Sequence, residues 1–274
     1  MLIRLGYDIE LELSMPMMVV ALLNVHPSRK ADLLEPDEIQ ISSGSARGEY
    51  LDSFGNRCTR IVAPQGSLRL SSSTLIRDSG EPDPVDWNAK QMPPEKLPPE
   101  TLQFLLASRY CEVDKLSDLA WSLFGSGPRG WPAVQAVCNW VNQHITFDYN
   151  TARPTKSAYD VYMERWGVCR DFQHLAISLC RALHIPARYA TGYLGDIGVP
   201  AALPMDFSAW FEVYLCGRWW AFDARNNRPR IGRILMATGR DAADVALTTT
   251  FGVSWLKKFE VVTDEVVQQV RSAA

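Results

Sequence analysis

The sequence predicts an α+β protein with an antiparallel, sandwich-like β domain over residues 1–79, a proline-rich linker over 80–100 and a second domain over 101–274 that opens with helices. Three observations carry this. Apolar and polar residues alternate near the N-terminus, prolines crowd one stretch in the first half, and beyond it the apolar period lengthens from two to between three and four.

From Leu2 to Leu13 the odd positions Ile3, Leu5, Tyr7, Ile9, Leu11 and Leu13 are apolar, while Arg4, Asp8, Glu10 and Glu12 fall between them. That is the pattern of a strand with one buried face. The stretches "MMVVALLNV", "DEIQISS", "GEYLDS", "NRCTRIVAP" and "SLRLSSSTLI" are further short strand candidates, with Phe54-Gly55-Asn56 as a hairpin loop between two of them. Next comes "DSGEPDPVDWNAKQMPPEKLPPE", which holds Pro82, Pro84, Pro93, Pro94, Pro98 and Pro99. Each proline removes a backbone donor and fixes φ, so this stretch is read as the linker.

Past the linker, Leu102, Leu105 and Leu106, then Leu116, Leu119, Ala120 and Leu123, then Val134, Val137, Cys138 and Val141 recur at helical spacing. The most regular helix begins at Cys169, with Phe172, Leu175, Ala176, Leu179 and Leu183 on one face and Pro186 at its end. "ARYATGYL" reads as a strand, "DFSAWFEVYLCGRWWAFDAR" as a hairpin turning at Cys216-Gly217, and "WLKKFEVVTDEVVQQV" as a closing strand.

Composition removes several function classes. A formal charge of -3 and a pI near 5.9 provide no basic field for a phosphate backbone, so no nucleic-acid partner is expected. The longest apolar stretch, "MPMMVVALLNV", falls short of the roughly 18 residues a membrane helix needs. No signal-peptide pattern opens the chain, and the expectation is a soluble cytoplasmic protein without a membrane partner. The six cysteines have no paired spacing, which argues against a zinc site or a disulfide framework.

One cysteine stands apart. In "RWGVCRDFQHLAISLC", Gly167 permits a tight turn and Cys169 falls in the first turn of the following helix. Unpaired amides and the positive end of the helix dipole are expected there to favour a thiolate, and the Cys169 amide could donate to an oxyanion. Position alone is equally compatible with one more buried cysteine, which is the expectation for Cys180. In the hairpin, the Cys216-Gly217 turn sets Leu215 against Arg218 and Asp223 against Trp210, one diagonal step from Ser208 on the same face. A carboxylate beside an imidazole on the neighbouring strand is how a Cys-His-Asp relay is assembled, but here position 208 is serine.

The segments "GVCRDFQHLAISLCRALHIPARYATGYL" and "DFSAWFEVYLCGRWWAFDAR" resemble the bacterial transglutaminase-like superfamily, and "LDSFGNRCTRIVAPQGSL" is similar to the region preceding the core in such proteins. The family pattern is a cysteine at a helix start, a histidine in a "HAW" strand and an aspartate in a "W..FD" strand. The resemblance implies a papain-like core of helices packed on an antiparallel sheet, with Cys169 as nucleophile and Asp223 as orienting acid. It also implies a thiol amidohydrolase or acyltransferase working through a thioester on a peptide or protein amide, with no metal or organic cofactor. Ser208 stands at the histidine position and is expected to impair activity, because a hydroxyl does not titrate near neutral pH. It also motivates a second expectation, an inactive member of the fold that binds protein or peptide.

Neither His174 nor His184 is spaced to serve the thiol, and His26 and His144 are expected to be surface or core residues. Trp210, Trp219 and Trp220 are expected in the core, and "ARNNRPRIGR" with "TGRDAADVA" as solvated loops, a substrate-facing loop being the alternative.

Overall fold

The computed structural model describes residues 1–43, 47–201 and 205–266. Six strands open the chain: β1 (Leu2–Leu13), β2 (Met17–Ala21), β3 (Gln40–Ile41), β4 (Arg47–Leu51), β5 (Arg57–Ala63) and β6 (Gly66–Arg77). Each lies where the alternation placed a strand. In the β4–β5 connection Asp52 Oδ1 accepts from the Phe54 and Asn56 amides at 2.8 and 2.9 Å, and Gly55 takes φ 81°. An Asx-type turn and one left-handed glycine thus close the hairpin.

Four helices and eight strands follow: α1 (Val113–Phe124), α2 (Trp131–His144), β7 (Thr146–Phe147), α3 (Ala158–Glu164), β8 (Trp166–Gly167), α4 (Cys169–Ala182), β9 (Ala187–Leu194), β10 (Ser208–Leu215), β11 (Arg218–Phe222), β12 (Arg233–Gly239), β13 (Thr248–Thr250) and β14 (Ser254–Glu265). The helix expected around Leu102–Leu106 is instead a 3-10 turn, Pro99–Leu105. Pro98 and Pro99 supply no amide donors at its start, and no side chain caps it. The closing strand ends at Glu265, and the end of "WLKKFEVVTDEVVQQV", from 267, lies outside the described residues.

Three four-stranded antiparallel sheets organise the chain, with orders β14-β1-β6-β3, β13-β2-β5-β4 and β11-β10-β9-β12. β14 runs along β1 from Leu13↔Ser254 to Ile3↔Glu265, so the first two sheets draw strands from both sides of the expected linker. One hydrophobic core fills the space between these two sheets and reaches the third through Tyr193, Phe207, Ile234 and Met236. A second core packs α1, α2, α3 and α4 against the other face of the third sheet. β9 is therefore covered on both faces.

The proline-rich segment is tied down. Asp83 accepts from Arg233 at 3.0 and 3.1 Å and from the Arg230 amide at 2.9 Å, the Ala89 carbonyl accepts from the Trp131 amide, and the Lys90 carbonyl accepts from the Cys216 amide. It runs as a strap across the β10–β11 hairpin. α4 is the central helix, and every residue from Asp171 to Ala182 is buried. Its polar side chains are accommodated because each has partners: Arg181 donates to the carbonyls of Leu106 and Ala187, and Ser178 to that of His174. Among the described residues no helix is long and apolar enough to cross a membrane.

Candidate active site

The turn into α4 is built before the thiol is placed. β8 pairs in parallel with β7, and the chain then reverses at Gly167, where a Cβ would come 2.7 Å from that of Asp171. Glycine is required there. Asp171, fully buried, accepts from the Val168 amide at 2.9 Å, and Arg170 Nε approaches its other oxygen at 3.5 Å. This cap ends the turn and starts the helix at Cys169.

Cys169 is half-buried and opens on two clefts of about 340 and 700 Å3. Both clefts are also lined by Tyr149, Asp206, Phe207 and Ser208. Ser208, the first residue of β10, lies opposite Gly192 of β9. The hairpin has the expected register, with Leu215 against Arg218 and Phe211 against Phe222. Asp223 is the next residue after Phe222 and comes level with Trp210, two positions along β10 from Ser208. Its Oδ1 accepts from the Gln173 side chain at 3.1 Å and from the amides of Arg225 and Asn226 at 3.0 Å each. Its Oδ2 accepts from Asn226 Nδ2 at 2.8 Å and has Arg233 at 3.7 Å. The thiol and the hydroxyl residues thus share both clefts. The carboxylate stands at the adjoining strand end and lines a separate cavity of about 270 Å3 with Asp83, Trp131 and Arg233.

The surroundings of the sulfur act against the expected thiolate. Burial pushes the Cys169 thiol up to about 11, outweighing the charge of Arg225 and the helix-start amide, which act in the opposite direction. Asp206 and Asp171 add negative potential and reinforce the upward shift.

Three residues that sequence reasoning did not single out belong to the site. Gln173 is buried on α4 and bridges the elements: its Nε2 donates to Asp223 Oδ1 and to the Ala209 carbonyl, and its Oε1 accepts from the Ala224 amide. Asp206 lines both clefts, and burial raises its carboxyl above the usual range. The Arg225 guanidinium lies 4.0 Å from the centroid of the Phe147 ring and lines the smaller cleft. A glutamine one turn after a helix-start cysteine was the local signal for the first. Arg225 lay in the run "ARNNRPRIGR", whose alternative reading was a substrate-facing loop, and nothing local marked Asp206.

Gln173→Leu is expected to lower the unfolding free energy by about 3 kcal/mol, because it strips three hydrogen bonds and leaves their partners buried. Urea unfolding of the variant against the parent measures it.

The remaining assignments separate cleanly. Cys180 and Trp210 are core, at 0% and 1% exposure. His174 is wholly buried on α4, His184 is exposed at a φ of 61°, His144 stacks on Trp140, and His26 caps a short 3-10 turn. None of the four lines a cleft at Cys169. The loops expected to be solvated are so only in part: Arg228 and Arg240 are exposed, but Arg230 and Asp241 are buried, Arg225, Arg228 and Arg230 line the smaller cleft, and Ala242, Ala243, Val245 and Ala246 line the larger. Their charges are accepted because each buried one is paired, Arg230 with Asp196 at 3.5 Å and Asp241 with the Tyr110 and Ala243 amides. Among the described residues no group of three His, Cys, Asp or Glu side chains is gathered to hold a metal ion.

A family model for the transglutaminase-like superfamily matches residues 123–224, from the end of α1 through the hairpin. A solved structure from Cytophaga hutchinsonii, named as a candidate cysteine protease, is 30% identical, with 96% of this chain and 90% of that one covered and a TM-score of 0.82. The chain belongs to the transglutaminase-like superfamily. Uncharacterized proteins of Mycobacterium leprae and Mycobacterium tuberculosis are 26% and 28% identical, covering 72% and 73% of this chain and 73% and 70% of their own lengths. The core of this transglutaminase-like chain is of the papain-like kind, with α4 packed against the antiparallel sheet that carries the hairpin. The matched segment contains Cys169, Ser208 and Asp223.

Proposed function

We propose that the chain performs acyl chemistry on peptide or protein amides at Cys169, with Ser208 in place of the proton-shuttling histidine and Asp223 as the residue that would orient it. The observation that supports this is the common outlook of Cys169 and Ser208 on two clefts, with Asp223 anchored through Gln173 to the helix that bears the thiol. In the reaction the thiolate attacks the carbonyl carbon, the C–N bond breaks, and the amine leaves with a proton. The thioester is then resolved by water or by an amine. The Cys169 amide, in the first turn of α4, would donate to the oxyanion.

With a thiol near 11 and no titrating base at 208, the first step is slow. These two features favour a second reading, a binding module that retained the cleft and lost turnover. Labelling by iodoacetamide distinguishes the two for the chain as it stands. The reactive form is the deprotonated one, so modification of Cys169 is expected to be slow at pH 7 and to rise about tenfold per pH unit toward 11. Fast modification already at neutrality, followed by mass spectrometry, would count against the binding module.

Acyl chemistry itself is tested with p-nitrophenyl acetate, which should leave an acetyl group on Cys169 and release nitrophenolate. If Cys169→Ala releases it equally fast, the thiol proposal fails. We keep the cytoplasm as the compartment, a reading supported by six free cysteines.

A further inference from the structure

The two clefts that meet at Cys169 are chemically unlike. The larger is walled by Tyr189, Val245, Leu247, Leu256 and Phe259, so β14, a strand of the first sheet, supplies part of its apolar wall. The smaller carries Arg225, Arg228 and Arg230 against Asp196 and Asp206.

These five charges do not cancel. Arg230 is buried and committed to structure, with Asp196 at 3.5 Å, the Gly195 carbonyl at 2.9 Å and Asn226 Oδ1 at 3.2 Å. Among the described residues, the guanidinium groups of Arg225 and Arg228 make no ion pair and no hydrogen bond. Asp206 is the acid left to answer them, and burial raises its carboxyl while Arg225 only partly offsets that rise. A half-buried guanidinium held against the Phe147 ring, close enough to act electrostatically on the Cys169 thiol, is a preorganised receptor for a planar anion.

We propose that the polypeptide recognised at this site carries an acidic side chain next to the attacked amide. Its carboxylate meets Arg225 and Arg228 in the smaller cleft, and the apolar residues on the other side of the amide lie in the larger one. The proposal rests on the acyl-chemistry reading only for its choice of Cys169 as the point where the two arms meet. Partial desolvation of Arg225 makes the contact stronger than a fully exposed pair would be.

Binding can be measured apart from turnover. The full chain carrying Cys169→Ala is titrated into end-blocked, dye-labelled pentapeptides Leu-Leu-Gln-Xaa-Gly, with Xaa as Glu, Gln or Lys, and followed by fluorescence anisotropy. The Glu peptide is expected to bind about tenfold more tightly than the Gln peptide, and the Lys peptide most weakly. The preference should shrink with added salt, disappear in Arg225→Gln and survive in part in Arg225→Lys. Arg228→Gln, at an exposed position, should reduce it without altering the melting temperature. Equal binding of the three peptides, binding of none, tightest binding of the Lys peptide, or a preference unchanged in Arg225→Gln would overturn the proposal. Failure of the acyl-chemistry reading would appear elsewhere, as a Cys169 that p-nitrophenyl acetate leaves unmodified even in the Ser208→His variant.

Discussion

Replacing Ser208 with histidine is expected to accelerate acylation of Cys169 by about 10²–10⁴-fold, the usual contribution of a positioned general base. Two structural facts support the gain. Position 208 opens on the same clefts as Cys169, and Asp223 waits at the end of the paired strand. Asp223 Oδ2 accepts from Asn226 Nδ2 and retains accepting capacity for an imidazole N–H. An imidazolium beside the sulfur would also oppose the burial that now holds the thiol near 11, so the onset of iodoacetamide labelling should move to lower pH. Nitrophenolate release and acetylation of Cys169 provide the rate. Ser208→Gln, which cannot titrate, should stay at the parent level, and Asp223→Asn added to Ser208→His should lose most of the gain. A Ser208→His rate equal to that of the parent, with the thiol's pH profile unmoved, would remove the case for position 208 as the proton-transfer position.

A second large effect is expected in acid. His174 is wholly buried, stacks on Tyr110 with centroids 5.0 Å apart, and accepts from the Ala242 amide through Nε2 at 3.1 Å. That bond requires the neutral ring. Burial pushes its pKa down to about 3; Arg170 and Arg181 act in the same direction, and Asp241 opposes them. The unfolded chain would protonate the same ring near 6.5. Between these values the folded state holds fewer protons than the unfolded one, so the contribution is complete above about pH 6.5 and is lost as the pH falls toward 3. The loss amounts to a few kcal/mol, on the order of 1.4 kcal/mol per pKa unit. Burial would raise the Asp241 carboxyl, but hydrogen bonds from Ser108 and from the Tyr110 and Ala243 amides hold it below its ordinary value, so its own contribution is lost only in stronger acid. His26 and several carboxyls also change protonation over this range, so the histidine is read from the difference between parent and variant in the urea midpoints at pH 7.5 and 4.5. His174→Phe keeps an aromatic ring but cannot protonate, and should be less stable at pH 7.5 yet lose much less between the two values. Equal losses in parent and variant would refute the assignment. The effect reaches the site because the amide His174 holds belongs to the Ala242–Ala243 segment that lines the larger cleft.

The order of these elements was legible because its signals are local. The alternation from Ile3 to Leu13 marks a strand whatever it pairs with, and Cys169, Ser208 and Asp223 were singled out by a helix start, a two-residue turn and the resemblance to the superfamily's cysteine, histidine and aspartate pattern. The state of the thiol was not legible. A helix start favours a thiolate by one mechanism, and the packing of β9 and of the 205–208 segment around Cys169 reverses it by another. Gln173 looked like an ordinary helix residue because its partners at 209, 223 and 224 lie on other elements.

By itself the sequence determined the strand and helix periods, the proline-rich break, and the identity of the residues at 169, 208 and 223. Only the tertiary structure decided that β14 returns to β1 and lends Leu256 and Phe259 to the larger cleft, that Arg225 and Arg228 line the smaller one unpaired among the described residues, and that α4 is buried from Asp171 to Ala182. Periodicity reflects a backbone's own repeat, whereas desolvation and charge pairing depend on groups far away in sequence that become neighbours only when the sheets close over the helix.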